Sequence, residues 1–222
     1  MNLIHTIFEP GGEGPHPTIL AIHGWGASAS DLLALAPHIC NGRFMVISPQ
    51  GPIDTPVGPG AVGYGWFPIS MDGPPDVPAI LSARAQLRVF LDASLARYPI
   101  DRDKLIALGF SQGGAMAYSL ALDEPERFAA LVSISSRLSS DLLSNLPYAA
   151  SARCLPTLVQ HGSRDQLIKV DCARETVETL RNLRIPVTYR EYDIGHEISP
   201  RSLADLSSWL EEKVLSPIVL AG

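Results

Sequence analysis

Apolar residues along this chain come in short unbroken runs, set apart by segments with helical spacing or by glycine and proline. The runs are Thr18-Ile19-Leu20-Ala21-Ile22, Phe44-Met45-Val46-Ile47-Ser48, Leu105-Ile106-Ala107-Leu108, Ala129-Ala130-Leu131-Val132-Ser133-Ile134-Ser135 and Pro156-Thr157-Leu158-Val159-Gln160. Strands covered on both faces of a parallel sheet need this pattern, because neither face meets water. Leu3 to Glu9 reads as an edge strand and Val187 to Tyr192 as a late one. Leu32, Leu33, Leu35, Ala36 and Ile39 form an apolar stripe that predicts a helix with Ser30 as its N-cap. A long helix is expected over residues 79–97, and shorter ones over 114–122, 139–146, 170–183 and 202–213. Pro125 stops the helix before it.

Strand and helix alternate, so the class is α/β, with a mostly parallel sheet of about seven strands, right-handed crossovers and helices on both faces. No repeat or linker interrupts the alternation, and a single domain over residues 1–222 is expected. Residues 49–78 break the pattern. They read as a long irregular loop rich in proline and glycine, carrying Tyr64, Trp66, Phe67, Ile69 and Met71. Its aromatic content argues against disorder and for a role at a site. On such a sheet, ligands bind beyond the carboxyl ends of the strands.

Composition narrows the partners. Charged residues make up 18% of the chain and the net charge is −6, with no basic cluster, which excludes nucleic acid as the expected partner. No apolar run reaches membrane-spanning length and no signal peptide is visible, so stable membrane insertion is not expected and the cytoplasm is the expected location. Cys40, Cys154 and Cys172 lack paired spacing and read as reduced thiols. The apolar tail, Val214 to Gly222, fits packing onto its own domain as well as self-association into a homodimer.

The chemistry centres on Gly109-Phe110-Ser111-Gln112-Gly113-Gly114, at the junction of a buried strand and a helix. Gly-x-Ser-x-Gly in that context is the nucleophile elbow. The glycines remove side chains that the sharp turn would bring into collision, and the helix aims its N-terminal amides at whatever Ser111 attacks. A serine hydroxyl needs a base. Of six histidines, His196 lies in a loop after a late strand and before the last helix, following Gly195. The order nucleophile, acid, histidine then points to Asp165, which follows a buried strand by a short turn. Asp171 suits a helix start better, and Asp193, three residues before His196, suits local turn bonding. Oxyanion donors are expected from the backbone N–H of Gln112 and from the loop His23-Gly24-Trp25-Gly26, with Trp25 as the choice. His23 and His161, each in a strand-ending His-Gly pair, read as buried turn histidines rather than metal ligands, since no further ligands accompany them at suitable spacing. Neither a metal nor a cofactor is required.

Together these segments, with Asp31, Pro49-Gln50-Gly51-Pro52, Trp66-Phe67, His161-Gly162-x-x-Asp165 and Gly195-His196-Glu197-Ile198, resemble the phospholipase/carboxylesterase family of α/β-hydrolases, which includes the acyl-protein thioesterases. The resemblance covers nearly the whole chain. It implies a hydrolase without a lid or separate cap domain, with Ser111, Asp165 and His196 as the triad and the Trp25 and Gln112 amides as the oxyanion hole. Trp25 stands where many relatives have a smaller aliphatic residue, Lys169-Val170 replaces a common Val-Pro, and the region between Ser111 and Asp165 is short, which implies a narrower or differently shaped acyl pocket.

The expected activity is a serine carboxylesterase acting through an acyl-enzyme on small-molecule esters with short to medium acyl chains. Tyr64, Trp66, Phe67 and Met71 are the expected walls of the acyl pocket; packing the loop down is the competing role for each. Acyl-thioesterase or lysophospholipase action uses the same triad and remains open. A ligand-binding module on the same scaffold is the alternative from a different class.

Overall fold

The computed structural model describes residues 3–69, 75–146 and 148–216. Its centre is a seven-stranded sheet of β1 (His5–Phe8), β2 (His16–Ile22), β3 (Met45–Pro49), β6 (Ile100–Phe110), β7 (Ala130–Ile134), β8 (Thr157–Gly162) and β9 (Val187–Tyr192). The spatial order is β1-β3-β2-β6-β7-β8-β9. Only β1 runs antiparallel, against β3; the remaining pairs are parallel. The α/β class and the mostly parallel sheet are as expected.

The apolar runs explain the two-sided core. Successive residues of a strand point to opposite faces. Leu20, Ile22, Leu105 and Ala107 therefore face one cluster, with α1 (Val77–Arg97), α2 (Gln112–Ala121) and α4 (Val170–Asn182) packed over it. Ile19, Ala21, Ile106 and Leu108 face the other, beneath Leu32, Ala36 and the final helix α5 (Pro200–Leu210). In α1 the buried positions Ile80, Ala83, Leu87, Phe90, Leu91 and Ser94 follow the helical repeat, and Asp76 caps its start by accepting the Ala79 N–H. α3 (Ser140–Asn145) starts at Ser139, whose hydroxyl accepts the Leu142 N–H.

Two expectations are corrected. The helix after the Trp25 loop is a 3-10 segment over Leu33–Gly42, with no side-chain cap, and Ile39, Cys40 and Asn41 leave helical geometry. Pro37 lies inside it, lacks an N–H and crowds the carbonyl four residues back, so a regular α-helix is interrupted there. Leu32, Ala36 and Ile39 still reach the core.

Residues 49–78 are not irregular throughout. Strands β4 (Ile53–Gly58) and β5 (Ala61–Gly65) form an antiparallel hairpin separate from the main sheet. Its two prolines and four glycines masked the strand signal, and its outer face is solvated, with Val57 and Val62 exposed. The last helix ends in a wider turn over Glu211–Leu215, and Val214 is buried against the second cluster. Residues 217–222 of the tail lie outside the described residues.

Candidate active site

β6 and α2 meet at Ser111, whose backbone sits at φ 54, ψ −120. A non-glycine residue rarely holds a positive φ, and such strain persists only where the surroundings enforce it. Here the Ser111 N–H donates to Ile134 O of β7 at 2.9 Å, and its carbonyl accepts the Gly114 N–H at 2.9 Å. A Cβ at Gly113 would strike the Ile22 carbonyl, and one at Gly109 would strike the Gly113 carbonyl. The two glycines thus let α2 sit directly on the ends of β6 and β2.

The loop after β2 passes beside Ser111, close enough that a Cβ on Gly24 would lie 3.2 Å from the Ser111 Cβ. His23, fully buried, anchors this loop. Its Nδ1 lies 2.7 Å from Gly24 O, and its Nε2 lies 2.9 Å from Gly51 N. A carbonyl can only accept and an amide N–H only donate, so the proton sits on Nδ1 and Nε2 is the bare acceptor. Burial pushes the His23 pKa down, against the opposing pull of the Gly24 bond and the Asp31 charge. Trp66 Nε1 donates to His23 O at 2.9 Å. The hairpin closes over the loop: Gly26 N–H donates to Tyr64 O at 2.9 Å, and Tyr64 N–H to Ala27 O at 2.8 Å. Among the described residues the backbone N–H groups of Trp25 and Gln112 have no hydrogen-bond partner.

Asp165 and His196 come together although 31 residues separate them; His196 Nδ1 donates to Asp165 Oδ2 at 2.7 Å. Asp165 is buried, and its Oδ1 accepts the N–H groups of Leu167 and Ile168, both at 2.9 Å. Strand pairing carries the two loops: Ser163 N–H reaches Tyr192 O, and Arg164 N–H reaches Ile194 O. The His196 ring packs on Phe110, the residue before Ser111, with ring centroids 4.9 Å apart. That ring contact brings His196 against the residue next to Ser111, and no hydrogen bond joins Ser111 and His196. With Nδ1–H committed to the carboxylate, Nε2 of His196 is the free basic position.

The rivals lie elsewhere: Asp193 pairs with Arg164, and Asp171 pairs with Arg174, both exposed. Of the expected pocket walls, Tyr64 is half-buried in the hairpin. Trp66 is 1% exposed and its Nε1 donates to His23 O, which favours the packing role over the pocket wall. Phe67 is also buried. Met71 lies outside the described residues. The Trp25 indole, more than a third exposed, lies on Gly65.

The Gln112 side chain was not singled out by the sequence. Its Oε1 accepts the Trp66 N–H at 2.8 Å and its Nε2 donates to Phe67 O at 2.7 Å. A buried glutamine at the first position of a helix, next to the serine, was the available signal.

Among the described residues, no helix is long and apolar enough to cross a membrane, and no group of three or more His, Cys, Asp or Glu side chains is placed to hold a metal ion. The family model described as Phospholipase/Carboxylesterase matches residues 4–214. Lysophospholipase-like protein 1 of Mus musculus is 28% identical over 204 residues, covering 87% of this chain and 85% of that protein. Acyl-protein thioesterase 1 of Mycosarcoma maydis is 24% identical, covering 91% of this chain and 93% of its own length. The crystal structure of esterase PE8 superposes with a TM-score of 0.83 at 22% identity, over 96% of this chain and all of that one.

Proposed function

The chain belongs to the phospholipase/carboxylesterase family of α/β-hydrolases, and from that premise we propose that it is a serine carboxylesterase with Ser111 as nucleophile, His196 as base and Asp165 as the acid that holds His196. The observation that carries the reading is the 2.7 Å bond from His196 Nδ1 to the buried Asp165 carboxylate, beside a serine held at φ 54 on a helix start.

In this reading Ser111 Oγ attacks the ester carbonyl carbon while His196 Nε2 takes the hydroxyl proton. Asp165 keeps the second imidazole proton on Nδ1 and stabilises the cation that forms. The negative charge on the former carbonyl oxygen is met by the Trp25 and Gln112 N–H groups, each worth about 3–4 kcal/mol in a transition state of this kind. The alcohol leaves with the proton from His196. A water then attacks the acyl-enzyme, giving one proton to His196; Ser111 takes that proton back from His196 as the carboxylic acid departs, and the acid ionises to solvent.

Short- to medium-chain acyl esters of small molecules are the proposed substrates, with the Trp25 indole and Tyr64 at the mouth. An apolar wall discriminates by only about 1–3 kcal/mol per methylene, so a broad range of esters follows. The relatives named as a thioesterase and a lysophospholipase-like protein keep those substrates as the comparison arm. The test is hydrolysis of p-nitrophenyl esters from C2 to C12 beside a matched acyl-thioester, with Ser111→Ala as control. A short-chain ester optimum abolished in Ser111→Ala is expected. A long-chain or thioester preference overturns the substrate assignment, and activity surviving in Ser111→Ala overturns the nucleophile.

A further inference from the structure

His161 is the last-but-one residue of β8, wholly buried, and the hydrolytic mechanism above does not use it. Its Nε2 lies 2.7 Å from Ile168 O and 3.4 Å from Asp165 Oδ2, the oxygen that also receives His196. Both neighbours of Nε2 are acceptors, so Nε2 carries the proton. Nδ1 is buried and has no hydrogen-bond partner among the described residues. Leaving a buried ring nitrogen unpaired is unfavourable, and an apolar side chain would fill the same space without that cost. What the imidazole offers that leucine does not is the Nε2–H.

We propose that His161 is a positioning residue for Asp165: its shared Nε2–H holds the carboxylate so that Oδ2 faces His196. This rests on the triad reading given above. The arrangement is a closed circuit. Ile168 N–H and Leu167 N–H hold Oδ1, Ile168 O accepts the His161 proton, and the same Nε2 lies 3.4 Å from Oδ2. Rotation of the carboxylate about its Cβ–Cγ bond breaks contacts on both oxygens at once. The strand fixes the His161 backbone through its pairing with Glu191, so the donor does not follow the turn if the turn moves.

The test compares His161→Leu, which fills the space without a donor, with His161→Gln, whose amide nitrogen reaches the position of Nε2. His161→Leu lowers kcat by about 10- to 100-fold, the range for a hydrogen bond to a charged group, with KM unchanged. His161→Gln recovers most of that loss. The downfield proton resonance of His196 Nδ1–H, read by NMR, is kept in His161→Gln and shifted or lost in His161→Leu. A folded His161→Leu with normal kcat and an unchanged resonance overturns the proposal. So does a folded His161→Gln as impaired as His161→Leu, because packing rather than the donor would then be at work. If His161→Leu does not fold, His161→Asn, too short to reach, takes its place, and equal activity of the Asn and Gln variants is the overturning result. Asp165→Asn is run alongside. Full activity there sinks the triad reading itself, whereas loss there with a normal His161→Leu sinks only the role of His161.

Discussion

Gln112 and Trp66 are joined across 46 residues by a 2.8 Å bond from the Trp66 N–H to Gln112 Oε1, and the same carboxamide donates to Phe67 O at 2.7 Å. Gln112, whose backbone N–H is the proposed oxyanion donor, thus uses its side chain to hold the segment after β5, which in turn holds His23 through Trp66 Nε1. Gln112→Ala strands a buried donor and a buried acceptor. A stability loss of about 2–6 kcal/mol is expected, from about 1–3 kcal/mol for each of the two unsatisfied groups. Urea unfolding measures it, and a loss below a few tenths of a kcal/mol would show that water replaces the clamp.

Ser111 offers a direct reading of stored strain. Ser111→Ala keeps the positive φ and should fold like the native chain while turnover falls by several powers of ten. Ser111→Gly relieves the strain at equal loss of turnover. It should unfold about 1 kcal/mol later than Ser111→Ala, since glycine tolerates positive φ but loses more chain entropy on folding. Equal stability of the two variants would show that the elbow is not strained.

His23 sets a pH dependence. Burial holds its pKa below the ordinary 6.5, so the unfolded chain binds this proton more readily than the folded one. Its contribution is therefore complete above about pH 6.5 and is lost as the pH falls, by up to about 1.4 kcal/mol per unit. The loss levels off once folded His23 itself takes up the proton. Unfolding free energies at pH 7.5, 6 and 5 should fall more steeply for the native chain than for His23→Asn. Parallel curves would remove His23 as the acid-sensitive group.

Gly65 fixes the face of Trp25. A Cβ there would collide with the six-membered ring of the indole. Gly65→Ala should displace the indole, lower kcat/KM and alter the acyl-length profile while leaving the fold intact. Trp25→Leu in the Gly65→Ala background should restore much of the activity. A single variant with native kinetics at every chain length would show that the indole does not border the acyl group.

The order of strands and helices was legible because runs such as Thr18–Ile22 and Leu105–Leu108 can be buried only between two layers. Ser111, Asp165 and His196 could be nominated because each follows a strand in an order that brings carboxyl ends together. The hairpin β4–β5 was not legible. Its Pro56 and glycines resemble a loop; what makes it a strand pair is the pairing of Ile53 with Gly65 through Gly58 with Ala61, and the backbone bonds of Tyr64 to Gly26 and Ala27 dock it on the loop after β2. Trp66 carried the composition of a pocket wall, but its depth depends on where His23 lies, 43 residues away.

By itself the sequence determined the alternation, the two-faced core and the strand ends on which the chemistry sits, because hydrophobic period and glycine placement are local properties of the chain. Tertiary structure decided which nitrogen of His23 and of His161 carries the proton, which oxygen of Asp165 faces His196, and that Gln112 grips the Trp66 segment. Those outcomes depend on the direction of single donors and acceptors brought together from distant segments, and no local pattern encodes a direction in space.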